Sequence, residues 1–296
     1  MINRRRALVL GGVAGLAGLG LVGSAAALDD DFPVGVRTRR MLGWTGVDGT
    51  VPVVAPNGPS VVVAAHRMHS AARGTDVNLI TVVPAGTPAG QLPICLLLHG
   101  RYMNASSMIG LGMPNFLEAA IRAGVPPFAM AAIDGGNTYW LAKRPGDDPQ
   151  AMLRNEVPGW LSGFGLSAGG GVPSAVLGIS MGCFGGLVYA RAVARVRTLA
   201  LLSPALFRSW ADARARRVFA NQAAWSAAEP LRHPGRPLRL GVWCGREDPF
   251  YSAAKQLIAQ RHPALVHFDH GGHTPGYWRR VLPEALRFVG TTPHPL

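Results

Sequence analysis

The run Gly178-Ile179-Ser180-Met181-Gly182 follows a short apolar stretch and precedes a segment of small and apolar residues. A serine between two glycines in this strand–turn–helix context is typical of a sharp turn that exposes the serine hydroxyl at the edge of a sheet. Such a turn holds the serine backbone at a positive φ, and a Cβ at either glycine would collide with the crossing strand and helix. Because a five-residue pattern also arises by chance, its interpretation depends on the rest of the chain.

Predicted strands alternate with predicted helices along most of the sequence. Most of the strands are continuous apolar runs, as is typical of strands buried on both faces of a parallel sheet. They lie at 77–84, 92–98, 128–133, 176–179, 198–203, 238–244 and 265–268. An arginine- and alanine-rich helical insertion is predicted at about 206–229. The alternation predicts an α/β fold with a doubly wound, mostly parallel sheet flanked by helices.

The sequence divides into three predicted segments. Residues 1–27 contain Arg4-Arg5-Arg6, an uncharged apolar stretch and Ser24-Ala25-Ala26-Ala27, which together predict an export signal of the twin-arginine type. An uncleaved membrane anchor is the alternative, because the apolar stretch is near the lower limit for crossing a bilayer, but its many glycines favour the signal. Residues 28–69 are predicted to form an extended arm or edge strands, and residues 70–296 a catalytic domain. We therefore expect a secreted or cell-envelope protein.

The formal net charge of +13 raises the question of a nucleic-acid partner. The basic residues are almost all arginine and are scattered rather than gathered on one periodic face, so we expect no nucleic-acid binding. Peripheral attraction to an anionic envelope surface is compatible with this charge. The three cysteines, Cys95, Cys183 and Cys244, lie in apolar runs and are predicted to be buried core residues rather than a disulfide framework.

Two loops after the serine supply an acid and a histidine. Gly245-Arg246-Glu247-Asp248-Pro249-Phe250 follows one predicted strand, and Asp269-His270-Gly271-Gly272-His273-Thr274 follows the next. Serine, acid and histidine in this chain order, each at the carboxyl end of a strand, are typical of α/β-hydrolases. We expect Ser180 to attack an ester carbonyl, His273 to take its proton, and Asp248 to orient the imidazole.

Each of the last two assignments has a neighbouring alternative. Asp248 is preferred to Glu247 because the pattern G-x-x-D-P places the shorter acid at the tip of the turn, and Glu247 is predicted to be solvated. His273 is preferred to His270 because the glycine pair before it lets the loop bring its imidazole close to the serine.

A metal site is the other interpretation of the last loop. His267, Asp269, His270 and His273 could be argued to be a cluster of ligands. Alternate residues of a strand point to opposite faces, however, so His267 and Asp269 share a face that His270 does not. No second ligand group is present elsewhere in the sequence, so we expect neither a metal nor a cofactor.

The oxyanion formed during ester attack needs two preorganised backbone N–H groups. One is predicted at Met181, the residue after the nucleophile, and the other on the loop that follows the strand ending at Leu98. Arg101 is the preferred donor on that loop, through its amide rather than its guanidinium, with Tyr102 as the alternative. His99 is interpreted as a structural residue that shapes the loop.

Substrate contacts are predicted at Tyr102, Asp134 and Trp278. Asp134 ends a predicted strand at the active-site edge and could bind a substrate hydroxyl, although strand-end aspartates commonly cap turns. Further aromatic side chains in the loops could line an acyl or alcohol pocket, although core packing is the more common role. They are Tyr139, Trp140, Phe207, Trp210, Phe219 and Trp225.

These motifs resemble the esterase D group of α/β-hydrolases, which includes the mycobacterial antigen 85 mycolyltransferases and related secreted actinobacterial esterases. The resemblance covers about residues 70–290 and rests on Leu98-His99-Gly100, Gly178–Gly182, Gly245–Phe250 and Gly272–Trp278. It implies that Ser180, Asp248 and His273 are nucleophile, acid and base, and that Arg101 and Met181 donate the oxyanion amides. Antigen 85 enzymes use a glutamate as the acid, so an aspartate is closer to plain esterases.

The expected activity is hydrolysis of a carboxylic ester, on a small-molecule or lipid or glycolipid substrate, through an acyl-enzyme. The first alternative is a mycolyltransferase-like acyltransferase that passes the acyl group to a sugar or lipid alcohol. The second alternative is a non-catalytic envelope binding protein built on a hydrolase fold. The first half-reaction of hydrolysis and transfer is identical, so the sequence leaves the choice between them open.

Overall fold

The computed structural model describes residues 46–54 and 60–291. The predicted export signal at 1–27 and much of the predicted N-terminal arm lie outside these residues. No helix within the described ranges is long and apolar enough to cross a membrane.

Eight strands form one sheet in the spatial order β1-β2-β4-β3-β5-β6-β7-β8. The strands are β1 (Val61–Ser70), β2 (Thr75–Pro84), β3 (Ile94–Leu98), β4 (Ala129–Ile133), β5 (Ala175–Ile179), β6 (Thr198–Leu202), β7 (Arg239–Gly245) and β8 (Leu265–Asp269). Strand β2 is antiparallel to both of its neighbours, and all pairs from β4 to β8 are parallel. The predicted doubly wound, mostly parallel sheet is therefore confirmed.

Nine α-helices connect and flank the strands of the described residues. They are α1 (Ala105–Gly110), α2 (Met113–Arg122), α3 (Pro149–Asn155), α4 (Val157–Gly163), α5 (Met181–Ala192), α6 (Trp210–Arg214), α7 (Gln222–Ala228), α8 (Tyr251–Arg261) and α9 (Pro275–Gly290). Helices α6 and α7 lie between β6 and β7 and form the helical insertion predicted at 206–229.

The first strand lies partly within the segment predicted as an arm or edge strands. Strand β1 pairs with β2 from Val61 opposite Pro84 to Ser70 opposite Thr75. Most of its residues are exposed or half-buried, as expected of an edge strand that is open to solvent. The sheet thus begins at Val61, upstream of the boundary that the sequence places at residue 70.

The strands in the middle of the sheet are buried on both faces. Every residue of β3, β4, β5 and β6 is buried. Helices α1, α2 and α9 pack on one face, and α3 to α8 pack on the other. Parallel strands covered in this way bring their carboxyl ends to one edge, so the loops after β3, β5, β7 and β8 lie together.

The three cysteines lie in this core. Cys95, Cys183 and Cys244 are buried and free, which confirms the prediction from their apolar surroundings. Burial raises the pKa of the Cys95 thiol to about 12 and that of Cys183 well above its ordinary value. The thiols are therefore held in their neutral, unreactive form.

Candidate active site

Ser180 occupies a strained turn between β5 and α5. Its backbone has φ 54° and ψ −117°, in a region that non-glycine residues rarely adopt. A Cβ on Gly178 would lie 2.6 Å from the Gly182 carbonyl carbon, and a Cβ on Gly182 would lie 1.9 Å from the Leu98 carbonyl oxygen. Strand, turn and helix therefore cross so closely that both flanking positions require glycine.

His273 lies between Ser180 and Asp248. Its Nε2 is 2.8 Å from the Ser180 Oγ, and its Nδ1 is 2.7 Å from the Asp248 Oδ2. The Asp248 side chain is fully buried, and its other oxygen accepts the Phe250 N–H at 2.9 Å, so the carboxylate is fixed from both sides. In this arrangement the imidazole donates from Nδ1 to the carboxylate and can accept the serine proton at Nε2.

The prediction that Glu247 is solvated is wrong. Glu247 is fully buried, and its carboxylate accepts the Gly271 N–H at 2.6 Å and lies 3.0 Å from the His270 Nδ1. The cause is the close approach of the two loops, since a Cβ on Gly245 would lie 1.9 Å from the Gly271 carbonyl oxygen. Glu247 thus binds the loop that carries His273, whereas Asp248 binds the His273 ring.

The histidines near the last strand are held by separate carboxylates. His267 Nδ1 lies 2.8 Å from the Glu284 Oε2, while His270 and His273 are paired with the two acids of the preceding loop. Over the described ranges, no three His, Cys, Asp or Glu side chains are grouped so that they could hold a metal ion.

Two backbone N–H groups beside Ser180 have no acceptor among the described residues. They belong to Met181, at the first turn of α5, and to Arg101, on the loop after β3. This loop runs directly past the serine, because a Cβ on Gly100 would lie 3.3 Å from the Ser180 Cβ. The Tyr102 N–H is engaged instead by the Asn137 Oδ1 at 2.6 Å. Arg101 and Met181 thus have the free amides that an oxyanion site needs.

His99 holds the same loop in place through two hydrogen bonds. Its Nε2 accepts the Gly135 N–H at 2.9 Å, so its Nδ1 carries the proton and donates to the Gly100 carbonyl at 2.7 Å. Burial lowers the pKa of His99, which keeps the ring neutral. The structural role expected for this residue matches these contacts.

Two of the three residues predicted to contact substrate have other roles. Asp134 Oδ1 accepts the Ala105 N–H at 2.8 Å, while its Oδ2 accepts the N–H and side-chain amide of Asn78 at 3.1 and 2.8 Å. The carboxylate therefore joins the end of β4 to α1 and β2. Tyr102, by contrast, is 78% exposed on the loop beside the serine, where a substrate could contact it.

Trp278 is the second residue whose contacts differ from the predicted substrate contact. Its side chain is buried, and its indole N–H donates to the Ser203 Oγ at 3.0 Å. Its ring packs edge-on against His273, with 5.3 Å between the ring centroids. Trp278 therefore packs against the His273 ring from the core.

An aromatic cluster extends from His273 toward the helical insertion. We use this name for Tyr139, Phe184, Phe207, Phe219 and Phe250, whose neighbouring rings lie 5.1 to 6.1 Å apart. The Phe250 centroid lies 5.4 Å from that of His273, and the Tyr139 N–H contacts the Met181 Sδ at 3.3 Å. The cluster thus extends from the His273 ring to the Met181 side chain. Phe250 was not among the aromatic residues predicted for the pocket, although it lies two residues after Asp248.

A cavity of about 640 Å³ lies elsewhere, at the amino ends of the strands. Its lining includes Leu92, Ile94 and Ser174, which begin or precede β3 and β5, so it opens at the sheet edge opposite to Ser180. The candidate chemistry is therefore not in this cavity.

A mostly parallel eight-stranded sheet, with a serine turn after β5 and acid and histidine loops after β7 and β8, is the α/β-hydrolase fold. No family model matches the sequence, and the curated protein sequences contain no match.

Solved structures share the fold at low sequence identity. A fluorophosphonate-binding serine hydrolase of Staphylococcus aureus has a TM-score of 0.63 at 15% identity, over 79% of this chain and 100% of that chain. An S-formylglutathione hydrolase from Agrobacterium tumefaciens has a TM-score of 0.62 at 12% identity, over 82% and 99%. A ferulic acid esterase from Anaeromyces mucronatus has a TM-score of 0.59 at 11% identity, over 83% and 98%. These three structures are named as a serine hydrolase, an S-formylglutathione hydrolase and a ferulic acid esterase, and they share the fold of this chain.

Proposed function

We propose that this protein is a serine esterase that hydrolyses a carboxylic ester through an acyl-enzyme on Ser180. The observation that carries the proposal is the hydrogen-bonded line from Ser180 through His273 to Asp248, with distances of 2.8 and 2.7 Å. A serine hydroxyl is a poor nucleophile on its own and needs such a base. The similarity of the fold to esterases and serine hydrolases supports the same activity.

The mechanism follows from the contacts of these residues. His273 takes the Ser180 proton at Nε2 while Oγ bonds to the ester carbonyl carbon, and Asp248 stabilises the resulting imidazolium. The N–H groups of Arg101 and Met181 bind the carbonyl oxygen as it becomes negative. The imidazolium then protonates the leaving alcohol as the carbon–oxygen bond breaks. Water, deprotonated by the same histidine, releases the acid and regenerates Ser180.

A series of p-nitrophenyl esters of increasing acyl length tests this proposal. The wild-type chain is expected to release p-nitrophenol with a preferred acyl length, and Ser180→Ala is expected to lose that activity. Equal rates for the wild-type and Ser180→Ala chains would contradict the proposal, and a folded wild-type chain without activity would favour the envelope binding protein instead.

Transfer of the acyl group to an alcohol shares the first half of this mechanism. Product analysis in the presence of trehalose or a diacylglycerol separates the two reactions. Free acid as the product supports hydrolysis, whereas an ester of the added alcohol would show an acyltransferase. The aspartate in the position of the acid favours hydrolysis in our proposal.

We also propose that the protein is exported to the cell envelope or medium. The proposal rests on the arginines at residues 4–6, the apolar stretch and the small residues at 24–27. Replacement of all three arginines by lysine is expected to block export through the twin-arginine route and to leave the chain inside the cell. Unchanged export of that variant would contradict the assignment, and a chain retained in the membrane would favour an anchor.

A further inference from the structure

Two arginines near the candidate site have no acidic partner in the described part of the chain. The first, Arg101, lies on the loop after β3 and supplies the backbone amide described above. Its guanidinium carbon lies 4.6 Å from the centroid of the exposed Tyr102 ring. Its Nε is buried and has no hydrogen-bond partner among the residues that the structure describes. The loop that passes Ser180 therefore carries a half-buried cation.

The second arginine, Arg216, comes from the helical insertion. Its guanidinium carbon lies 5.0 Å from the centroid of Phe250, the member of the aromatic cluster that packs against His273. The side chain is half-buried. A second cation therefore borders the histidine side of the site, one aromatic ring away from the base.

Several buried or half-buried arginines elsewhere in the described chain bind carboxylates or backbone carbonyls. Arg73 lies 2.7 Å from Asp147, and Arg280 lies 3.0 Å from Asp269. Within residues 46–54 and 60–291, neither Arg101 nor Arg216 has a carboxylate within 4.0 Å or a side-chain hydrogen bond. Each guanidinium instead packs over one aromatic ring, that of Tyr102 or that of Phe250.

Both guanidinium groups affect the ionisation of Tyr139, a member of the aromatic cluster. Burial raises the pKa of the Tyr139 hydroxyl to about 12, and the charges of Arg216 and Arg101 oppose that rise. The two guanidinium groups therefore lie within electrostatic reach of one side chain, and the N–H of that residue contacts Met181.

The nearby acid Glu229 does not neutralise them. Its carboxylate is fully buried and accepts hydrogen bonds from the Trp225 indole, the Phe207 N–H and the Leu231 N–H. Burial raises the pKa of Glu229 to about 7, so much of its charge is absent near neutral pH. Glu229 therefore supplies only part of a negative charge near neutral pH.

Partly burying a guanidinium without an anion is unfavourable, and stacking on an aromatic ring offsets only part of that cost. A guanidinium fork matches the two oxygens of a carboxylate, and such charge-assisted pairs are strong in partly desolvated surroundings. We propose that the ester hydrolysed at this site carries a free carboxylate group, which Arg101 and Arg216 bind against the aromatic cluster. This inference rests on the proposed esterase function and adds the chemical class of its substrate.

Two matched pairs of esters test the inference on the full-length chain and identify the half of the substrate that carries the charge. For the acyl half, kcat/KM on p-nitrophenyl hydrogen glutarate is compared with kcat/KM on p-nitrophenyl pentanoate. For the alcohol half, kcat/KM on m-acetoxybenzoate is compared with kcat/KM on phenyl acetate. In at least one pair, kcat/KM is expected to be higher for the anionic ester by about tenfold or more, and added salt is expected to reduce that preference.

Arginine variants show whether these residues cause the preference. Arg216→Gln and Arg101→Gln are each expected to reduce the anionic-to-neutral ratio of kcat/KM by about tenfold, with Arg216→Lys retaining part of it. Arg208→Gln is the matched control, since Arg208 is an exposed arginine of the same insertion, and its ratio is expected to equal that of the wild type. Labelling of each variant by a neutral fluorophosphonate shows that the serine is intact.

The outcomes separate the two proposals. Hydrolysis of the neutral esters without a preference in either pair, or a preference that both glutamine variants retain, would overturn the inference while leaving the esterase function standing. Absence of hydrolysis of all four esters together with absence of labelling of the wild-type chain would overturn the proposed function and the inference with it.

Discussion

The Glu247 carboxylate accepts the Gly271 N–H at 2.6 Å, and the residue next to it, Asp248, binds the His273 ring at 2.7 Å. Two adjacent acids therefore hold the histidine loop, one through its backbone and one through the imidazole. Although the two acids are adjacent in the chain, they bind different parts of the histidine loop.

Exchanging each acid for its amide is expected to separate these functions. Asp248→Asn leaves the shape of the site intact but removes the charge that stabilises the imidazolium, so kcat is expected to fall by about 10³- to 10⁴-fold. Glu247→Gln is expected to reduce the free energy of unfolding by about 1–3 kcal/mol, because a buried acceptor is lost, with a smaller loss of kcat. Ester kinetics and denaturant unfolding of the two variants measure both effects. If Glu247→Gln reduces kcat more than Asp248→Asn does, the acid has been assigned to the wrong residue.

The serine and the histidine are expected to act as a unit. Ser180→Ala and His273→Ala should each reduce ester turnover by several orders of magnitude, because either change removes the activated nucleophile. The double variant is expected to be about as slow as either single variant, since the second change removes nothing further. Steady-state kinetics of the three variants on one ester measure this. Losses that multiply in the double variant would show that the two residues act independently.

Gly182→Ala is expected to destabilise the protein strongly. Its new Cβ would lie 1.9 Å from the Leu98 carbonyl oxygen, so β3 and α5 would have to separate. We expect the free energy of unfolding to fall by more than about 3 kcal/mol, beyond the usual effect of a single substitution. Gly110→Ala is the control, because a Cβ there has no atom within 4 Å. A Gly182→Ala chain as stable as the Gly110→Ala chain would contradict the close crossing at the serine turn.

Glu229 is expected to make stability depend on pH. Burial raises its pKa to about 7 in the folded protein, so the unfolded chain loses this proton first as the pH rises from about 4.5. The free energy of unfolding is therefore expected to fall by up to about 3 kcal/mol between pH 4.5 and pH 7, and the loss is complete above that range.

The test compares pH profiles of unfolding for the wild-type, Glu229→Gln and Glu118→Gln chains. The profile of Glu229→Gln is expected to lack the fall attributed to this carboxyl group, whereas that of Glu118→Gln keeps it. Parallel profiles for the wild-type and Glu229→Gln chains would show that Glu229 ionises normally in the fold.

Much of the site could be predicted from the sequence because its signals are local. The serine turn needs glycines within two residues of Ser180, and the acid and histidine loops each follow directly on an apolar run. In a parallel sheet those loops must meet at one edge, so chain order alone predicts that Ser180, Asp248 and His273 lie near each other. The catalytic roles of these residues remain the proposal set out above.

Contacts between distant segments could not be predicted in this way. The burial of Glu247 depends on Gly245 crossing Gly271, which no local pattern encodes. The position of Asp134 after a predicted strand indicated that it lies near the edge of the site. It did not indicate that Asn78 would donate hydrogen bonds to the Asp134 carboxylate. In the same way, Trp278 follows the histidine loop in the sequence, but its hydrogen-bond partner Ser203 comes from the end of β6. Side-chain direction at these positions is decided by packing.

The proposed serine nucleophile can be tested most directly by treating the folded chain with a fluorophosphonate and measuring its intact mass. We expect one added phosphonyl group on the wild-type chain, mapped by peptide analysis to Ser180, and no label on a folded Ser180→Ala chain. Labelling that persists in Ser180→Ala, or a folded wild-type chain that remains unlabelled, would contradict this expectation.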